Sequence, residues 1–336
     1  MDYVLGPPIR EQRGGALVRL ADDLRKCVVF FGSPKLRRGV EEIDPWATGF
    51  IVQSRDNGQT YLVTVAHTVY PLRNCPFAIR YNDKSGAGKL EHVDPAKWFF
   101  HPTDDTVDVA VMEISVPNWA DCVPYDQFGV LEKDRFEKKN FGPGDLVYTV
   151  GVWKLLYGKK KNLPFVHVGH IGLVPEDERV PSAGWLSKHG KTVLVEAYLT
   201  EGEPLNGASG SPVFVRRSLL QTPGTAHKLE TWIYGSIWLL GMQSNAWFGT
   251  PGEDYELPPD DKIIPRGINV VVPSMKINEV LNHPELKAKR EAELTAEEDA
   301  RAAQKTGLRA TDENPNHRVD FTSLLGKAAR TPPQDG

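Results

Sequence analysis

The sequence predicts an all-β protein. Its apolar runs are short and rich in β-branched and aromatic residues, turn-formers separate them, and no long amphipathic helix lies between them. Runs of this kind pack as an antiparallel barrel or sandwich. A first series comprises Cys27–Phe31, Gly49–Gln53, Thr60–Val65, Phe77–Tyr81 and Val107–Ile114. A second comprises Asp145–Val150, Val166–Leu173, Thr192–Tyr198, Pro212–Val215, Trp232–Met242 and Ile268–Val272. Asp83–Gly88 reads as a polar loop, and the lysine-rich stretch Gly158–Asn162 as a solvated hairpin tip. Residues 117–143, with the charged run Glu132–Lys139, suit a segment crossing from one series to the other.

The two ends differ from the middle. Residues 1–21 carry Pro, Gly and charge and read as an extended arm. Past Pro273, Ser274–Leu281 reads as a short helix. Glu285–Gln304, dominated by Ala, Glu, Lys and Arg, reads as an exposed one. Residues 307–336 have the polar composition of a disordered tail. Within them Phe321, Leu324, Leu325 and Ala328 stand at helical spacing after Asp320, a pattern open to docking on the barrels or on a protein partner.

Composition narrows the function. The 336 residues are 40% hydrophobic and 25% charged, with a net charge of −4, which gives no reason to expect nucleic acid or a membrane as partner. No apolar stretch approaches the length of a membrane span, and the first residues show no secretory signal. Cys27, Cys75 and Cys122 are an odd set without metal-ligand spacing, so reduced thiols in a cytoplasm are the simplest account. P-loop and dinucleotide glycine patterns are absent.

Three segments carry chemistry. Gly207-Ala208-Ser209-Gly210-Ser211-Pro212 places a serine between glycines just before the apolar Val213-Phe214-Val215, which suits a nucleophile in a sharp turn. Tyr61–Val65 is an apolar run that leads through Ala66 to His67. Val107–Met112 encloses Asp108 in an otherwise apolar run, where a carboxylate needs a polar partner, and His67 is the natural one. The order is His, Asp, Ser, as in the chymotrypsin template. The intervals leave room for one small barrel to carry His67 and Asp108 and another to carry Ser209. Each residue alone would be an ordinary barrel histidine, strand-end aspartate or turn serine. His101, after Phe99-Phe100, is a rival base without the small-residue approach of His67 and reads as a loop residue.

Through these blocks the chain resembles the trypsin/chymotrypsin-like serine peptidases, in particular their bacterial disulfide-free members. The matching residues are Thr48-Gly49-Phe50-Ile51-Val52, Thr64-Val65-Ala66-His67, Asp108-Val109-Ala110-Val111, Gly207–Pro212, Gly241-Met242-Gln243-Ser244 and Gly267–Pro273. The resemblance implies two antiparallel Greek-key β-barrels with a C-terminal helix and tail. The expected organisation is an arm over 1–21, a first barrel over 22–118, a crossing segment over 119–143 and a second barrel over 144–273. A helical region over 274–306 and a tail over 307–336 follow.

It further implies acyl transfer without cofactor or metal. Ser209 would be the nucleophile, His67 the general base, Asp108 its orienter, and the N–H groups of Gly207 and Ser209 the oxyanion hole. Ser244 would support Asp108 or line the substrate cleft. Two departures stand out. Ala208 replaces the aspartate that many secreted relatives pair with a freed N-terminus, and Ser211 replaces a common glycine. Specificity stays open. Glu203 counts back to the base of the primary pocket and would favour Arg or Lys. A different loop length would turn it outward and leave Leu205, Asn206, Ala246 and their neighbours to favour small or apolar side chains. Gln243 stands where glutamate-specific relatives have a histidine. The expected activity is an intracellular serine endopeptidase acting on protein or peptide; the alternative is a silent barrel pair that only binds protein.

Overall fold

The computed structural model describes residues 20–94, 97–138, 141–174, 178–184, 192–203, 205–216, 237–249 and 264–312. Most of the arm (1–19), the start of the expected strand at Trp232, and the Asp320–Ala328 pattern lie outside them. After a short helix α1 (Asp22–Lys26), the first strand series is β1 (Val28–Arg37), β2 (Val40–Gln53), β3 (Thr60–Thr64), β4 (Phe77–Asn82), β5 (Gly88–Val93), β6 (Phe99–Phe100) and β7 (Ala110–Ile114). Helix α2 (Ala66–Val69) interrupts it after β3. The crossing segment holds β8 (Tyr125–Asp126) and α3 (Lys133–Lys138). The second series is β9 (Leu146–Gly151), β10 (Phe165–Leu173), β11 (Val180–Ala183), β12 (Thr192–Val195), β13 (Tyr198–Glu201), β14 (Pro212–Arg216), β15 (Ile237–Gly249) and β16 (Ile264–Pro273). Helices α4 (Ser274–Leu281) and α5 (Pro284–Asp312) follow.

The two series share one pairing order. The second closes as β10-β13-β16-β15-β14-β9, with β9 paired back to β10. The first runs β5-β4-β1-β2-β3-β7-β6, the same order with no hydrogen-bonded seam between its two outer strands among the described residues. This is the chymotrypsin-like all-β fold.

The apolar patterning explains why these strands read as continuous runs. Ala47, Ile51, Leu62, Ala110 and Met112 face one core with Phe31, Ile79 and Tyr81. Their neighbours Phe50, Val63 and Val111 turn the other way and are equally buried. Strands covered on both faces lose the in–out alternation of a half-exposed sheet. On β14, Val213 and Val215 join the second core, whereas Phe214 turns to the opposite face with its ring 5.4 Å from Tyr125 of the crossing segment. That places Ser209 at the entrance to a strand packed on both sides, where a shift of register would unpack both faces.

Besides the run Thr192–Tyr198, which divides into β12 and β13, three elements differ from the sequence expectation. The strand expected from Val107 begins only at Ala110. The Gly158–Asn162 stretch exposes its lysine side chains, but its backbone is held: Arg80 donates to Gly158 O at 2.7 Å and Gly88 N–H to Lys160 O at 2.6 Å. Asn162 itself is buried and donates to Arg80 O. A lysine-rich composition reports where side chains go, not what the carbonyls bind. Third, α5 runs to Asp312, six residues into the segment expected as tail; 313–336 lie outside the described residues.

The chain forms two compact units. Both strand series and α4 belong to the first, and α5 belongs to the second with Asp56–Gly58. Within the second, Asn57 Nδ2 donates to Glu293 Oε2 at 2.8 Å, and Arg290 donates to Asn282 Oδ1 at 2.9 Å. Helix α5 opens on Pro284, a favourable first helical position, and carries i,i+4 pairs such as Lys289–Glu293.

Candidate active site

His67 is the second residue of α2, one turn of helix formed as soon as β3 ends. Asp108 lies two residues before β7, the strand paired to β3, so the β3–β7 register sets the distance between them. The ring Nδ1 of His67 is 2.7 Å from Asp108 Oδ2, and the backbone N–H of His67 donates to Oδ1 at 2.8 Å. Ser244 of β15 donates its hydroxyl to Oδ2. Asp108 is 6% exposed, so both carboxylate oxygens are satisfied inside the fold. Asp108 takes these donors just before its strand begins, which is why strand geometry starts late.

The electrostatics follow. For His67, burial lowers the imidazole pKa, but the negative charge and hydrogen bond of Asp108 outweigh it and leave the ring above its ordinary value. For Asp108, burial opposes ionisation, and His67 and the hydrogen bonds from His67 and Ser244 hold the carboxyl below the usual range. With Nδ1–H pointed at Asp108, the neutral ring keeps its lone pair on Nε2, and the side chain stays 30% exposed.

Ser209 sits half-buried in a tight turn. Ala208 N–H donates to Leu205 O at 3.0 Å, Ser211 N–H to Ala208 O at 2.9 Å, and Gly210 N–H to Gln243 O at 2.8 Å. Two glycines are needed because Gly207 and Gly210 have φ of 98° and 85°, where a side chain is strained. A Cβ on Gly210 would also lie 2.0 Å from Thr48 O. Among the described residues, the N–H groups of Gly207 and Ser209 donate to no protein atom, and no hydrogen bond joins Ser209 Oγ to the His67 ring.

Thr48 was not singled out from sequence as a functional position. Its N–H donates to Ser209 O at 3.0 Å, its Oγ1 donates to Gly207 O at 2.9 Å, and Oγ1 accepts from Val152 N–H at 2.8 Å. Thr64 in turn donates to Thr48 O at 2.8 Å. One residue of β2 thus pins the serine turn of the second barrel to the strand pair that presents His67. Only its place in the strand before the histidine was visible in sequence.

The remaining sequence candidates fall as follows. His101 is buried on its side chain with both ring nitrogens engaged: Nδ1 accepts from Asp104 N–H at 2.9 Å and Nε2 lies 2.5 Å from Glu279. It is a structural residue. Asn206 is exposed and its carbonyl accepts from Lys154 N–H at 3.0 Å. Ala246 is half-buried opposite Asn269 in the β15–β16 ladder. Glu203 borders a pocket with Leu205 and Ala208 but is exposed, at the rim rather than the base. Ser244 supports Asp108.

No protein-family model matches the chain, and no curated protein matches it. Among solved structures it is similar to an HtrA-type protease, AlgW, with a decapeptide, at 12% identity and a TM-score of 0.43 over 77% of this chain. It spans 65% of the AlgW chain. It is also similar to Deg5, at 17% identity and a TM-score of 0.38, covering 66% of this chain and 81% of that one.

Proposed function

We propose that the chain is a serine endopeptidase working by acyl transfer. One observation carries the reading: His67 is gripped twice by a buried carboxylate, through its backbone N–H and through Nδ1, which leaves Nε2 as the base. In the proposed reaction Nε2 takes the Ser209 hydroxyl proton as Oγ attacks the scissile carbonyl. Asp108 stabilises the imidazolium without taking its proton. The N–H groups of Gly207 and Ser209 receive the developing oxyanion, an interaction worth about 3–4 kcal/mol per donor in such sites. His67 then protonates the leaving amine, and water repeats the cycle on the acyl-enzyme.

The second reading, a barrel pair that binds protein without cutting it, draws on the missing Ser209–His67 hydrogen bond. Such bonds are commonly loose before substrate arrives, which keeps the enzyme reading in front. The three unpaired thiols support a reducing compartment as the place of action. Labelling with a fluorophosphonate decides between the readings. An intact-mass shift of one adduct on the wild-type chain, absent from Ser209→Ala, supports the enzyme; an unlabelled wild type supports the binding module.

A further inference from the structure

Beside the serine turn lies a small pocket that opens to solvent and is bordered by Leu205, Ala208 and Ser211. Its upper wall is apolar, with Val152 and Phe165; deeper in, it is lined by Gln243, Asn269 and His167. Gln243 Nε2 donates to Asn269 Oδ1 at 3.2 Å, which commits one half of each amide and turns over the others, Gln243 Oε1 and Asn269 Nδ2. Asn269 Nδ2 and His167 Nε2 converge beside the Gly202 backbone: a Cβ there would lie 2.4 Å from the first and 3.0 Å from the second. Ser211 is the decisive group. It is fully buried, it lines the pocket, and its hydroxyl has no hydrogen-bond partner among the described residues.

We infer that this pocket receives the side chain before the scissile bond and selects a carboxamide, glutamine or asparagine. The inference rests on the endopeptidase reading for its place in a reaction, but its chemistry comes from the pocket. A carboxamide offers an acceptor to Asn269 Nδ2 and the Ser211 hydroxyl and a donor to Gln243 Oε1. A cation would be buried against amides and hydroxyls, and among the described lining residues the one carboxylate, Glu203, stands out at the exposed rim. An aliphatic side chain would leave the same polar groups desolvated and unpaired, which is how a site built on hydrogen bonds rejects an analogue that lacks them.

The test uses the full chain carrying Ser209→Ala, so that peptides bind without being cut. Tetrapeptides identical except for a C-terminal Gln, Asn, Glu, Lys or Leu are titrated by NMR. The Gln and Asn peptides should bind at least about tenfold more tightly than the Lys and Leu peptides. Adding Ser211→Ala, or separately His167→Ala, should shrink that margin severalfold, and two variants guard against one that fails to fold. Equal affinities, a preference for Lys, Glu or Leu, or no binding by any peptide would each overturn the inference. Fluorophosphonate labelling of the chain with Ser209 intact reports separately on the endopeptidase reading, so the two can fail independently.

Discussion

The two strand series supply their parts of the site in different ways. The first delivers a finished device: β3 and β7 are paired, and the His67 ring and backbone are both bonded to one buried carboxylate. The second delivers Ser209 on a turn fixed through backbone hydrogen bonds and the Thr48 hydroxyl, with no bond from its own hydroxyl to the His67 ring among the described residues. The difference follows from chemistry. A buried carboxylate must be satisfied for the fold to form, so its partners are built in before any substrate is present. A hydroxyl at a cleft can be left to find its geometry with substrate in place. Two residues join the barrels here, Thr48 reaching from the first into the serine turn and Ser244 from the second onto Asp108.

Breaking each side should therefore cost differently. Ser209→Ala removes the proposed nucleophile, and kcat for a peptide substrate should fall by about 10⁴-fold or more with melting temperature unchanged. Asp108→Asn should cost about 10⁴-fold as well, because the amide presents a donor to the ring and favours the wrong tautomer. Unlike the serine variant, it should also lose thermal stability, since a single oxygen is left to accept from the His67 N–H, the His67 ring and the Ser244 hydroxyl. Equal stability of the two variants would break the comparison drawn here.

The bridging residues come next. Thr48→Val keeps the shape but strands Gly207 O and Val152 N–H, so the serine turn should drift; kcat should drop about 10²-fold with a smaller change in KM. Steady-state kinetics on a folded variant check this, and an unchanged kcat would remove Thr48 as a positioning residue. Ser244→Ala should have the smallest effect, about tenfold or less, because Asp108 keeps both bonds from His67. A loss as large as that of Asp108→Asn would mean that Ser244, rather than His67, holds the carboxylate in place.

The same contrast explains what was readable from sequence. The strands, the His67–Asp108 pairing and the glycine-flanked serine turn were legible because each has a local signature: β-branched runs, a carboxylate in an apolar run, glycines around a serine. Ser244 as the support of Asp108 was legible only through the family resemblance. Thr48 was not, because its contacts span 159 residues to Gly207 and 104 to Val152, and a threonine in a strand carries no local mark of such a bridge. Glu203 stayed open between pocket base and surface because counting back from Ser209 fixes its place along the chain but not the turn of the loop. The Gly158–Asn162 loop was legible in part: composition foretold its exposed lysines, while the groups that dock it are carbonyls and Asn162.

The central claim is that His67, oriented by Asp108, is the base for Ser209. The direct measurement is the second-order rate of fluorophosphonate labelling at Ser209 as a function of pH. His67 must be neutral to act, and Asp108 raises its pKa. The rate should therefore be low in acid and rise through a single ionisation with its midpoint above the ordinary imidazole value of about 6.5. His67→Ala should remove the pH step and nearly all labelling. A rate flat from about pH 5 to 8, or one that His67→Ala leaves unchanged, would contradict the account.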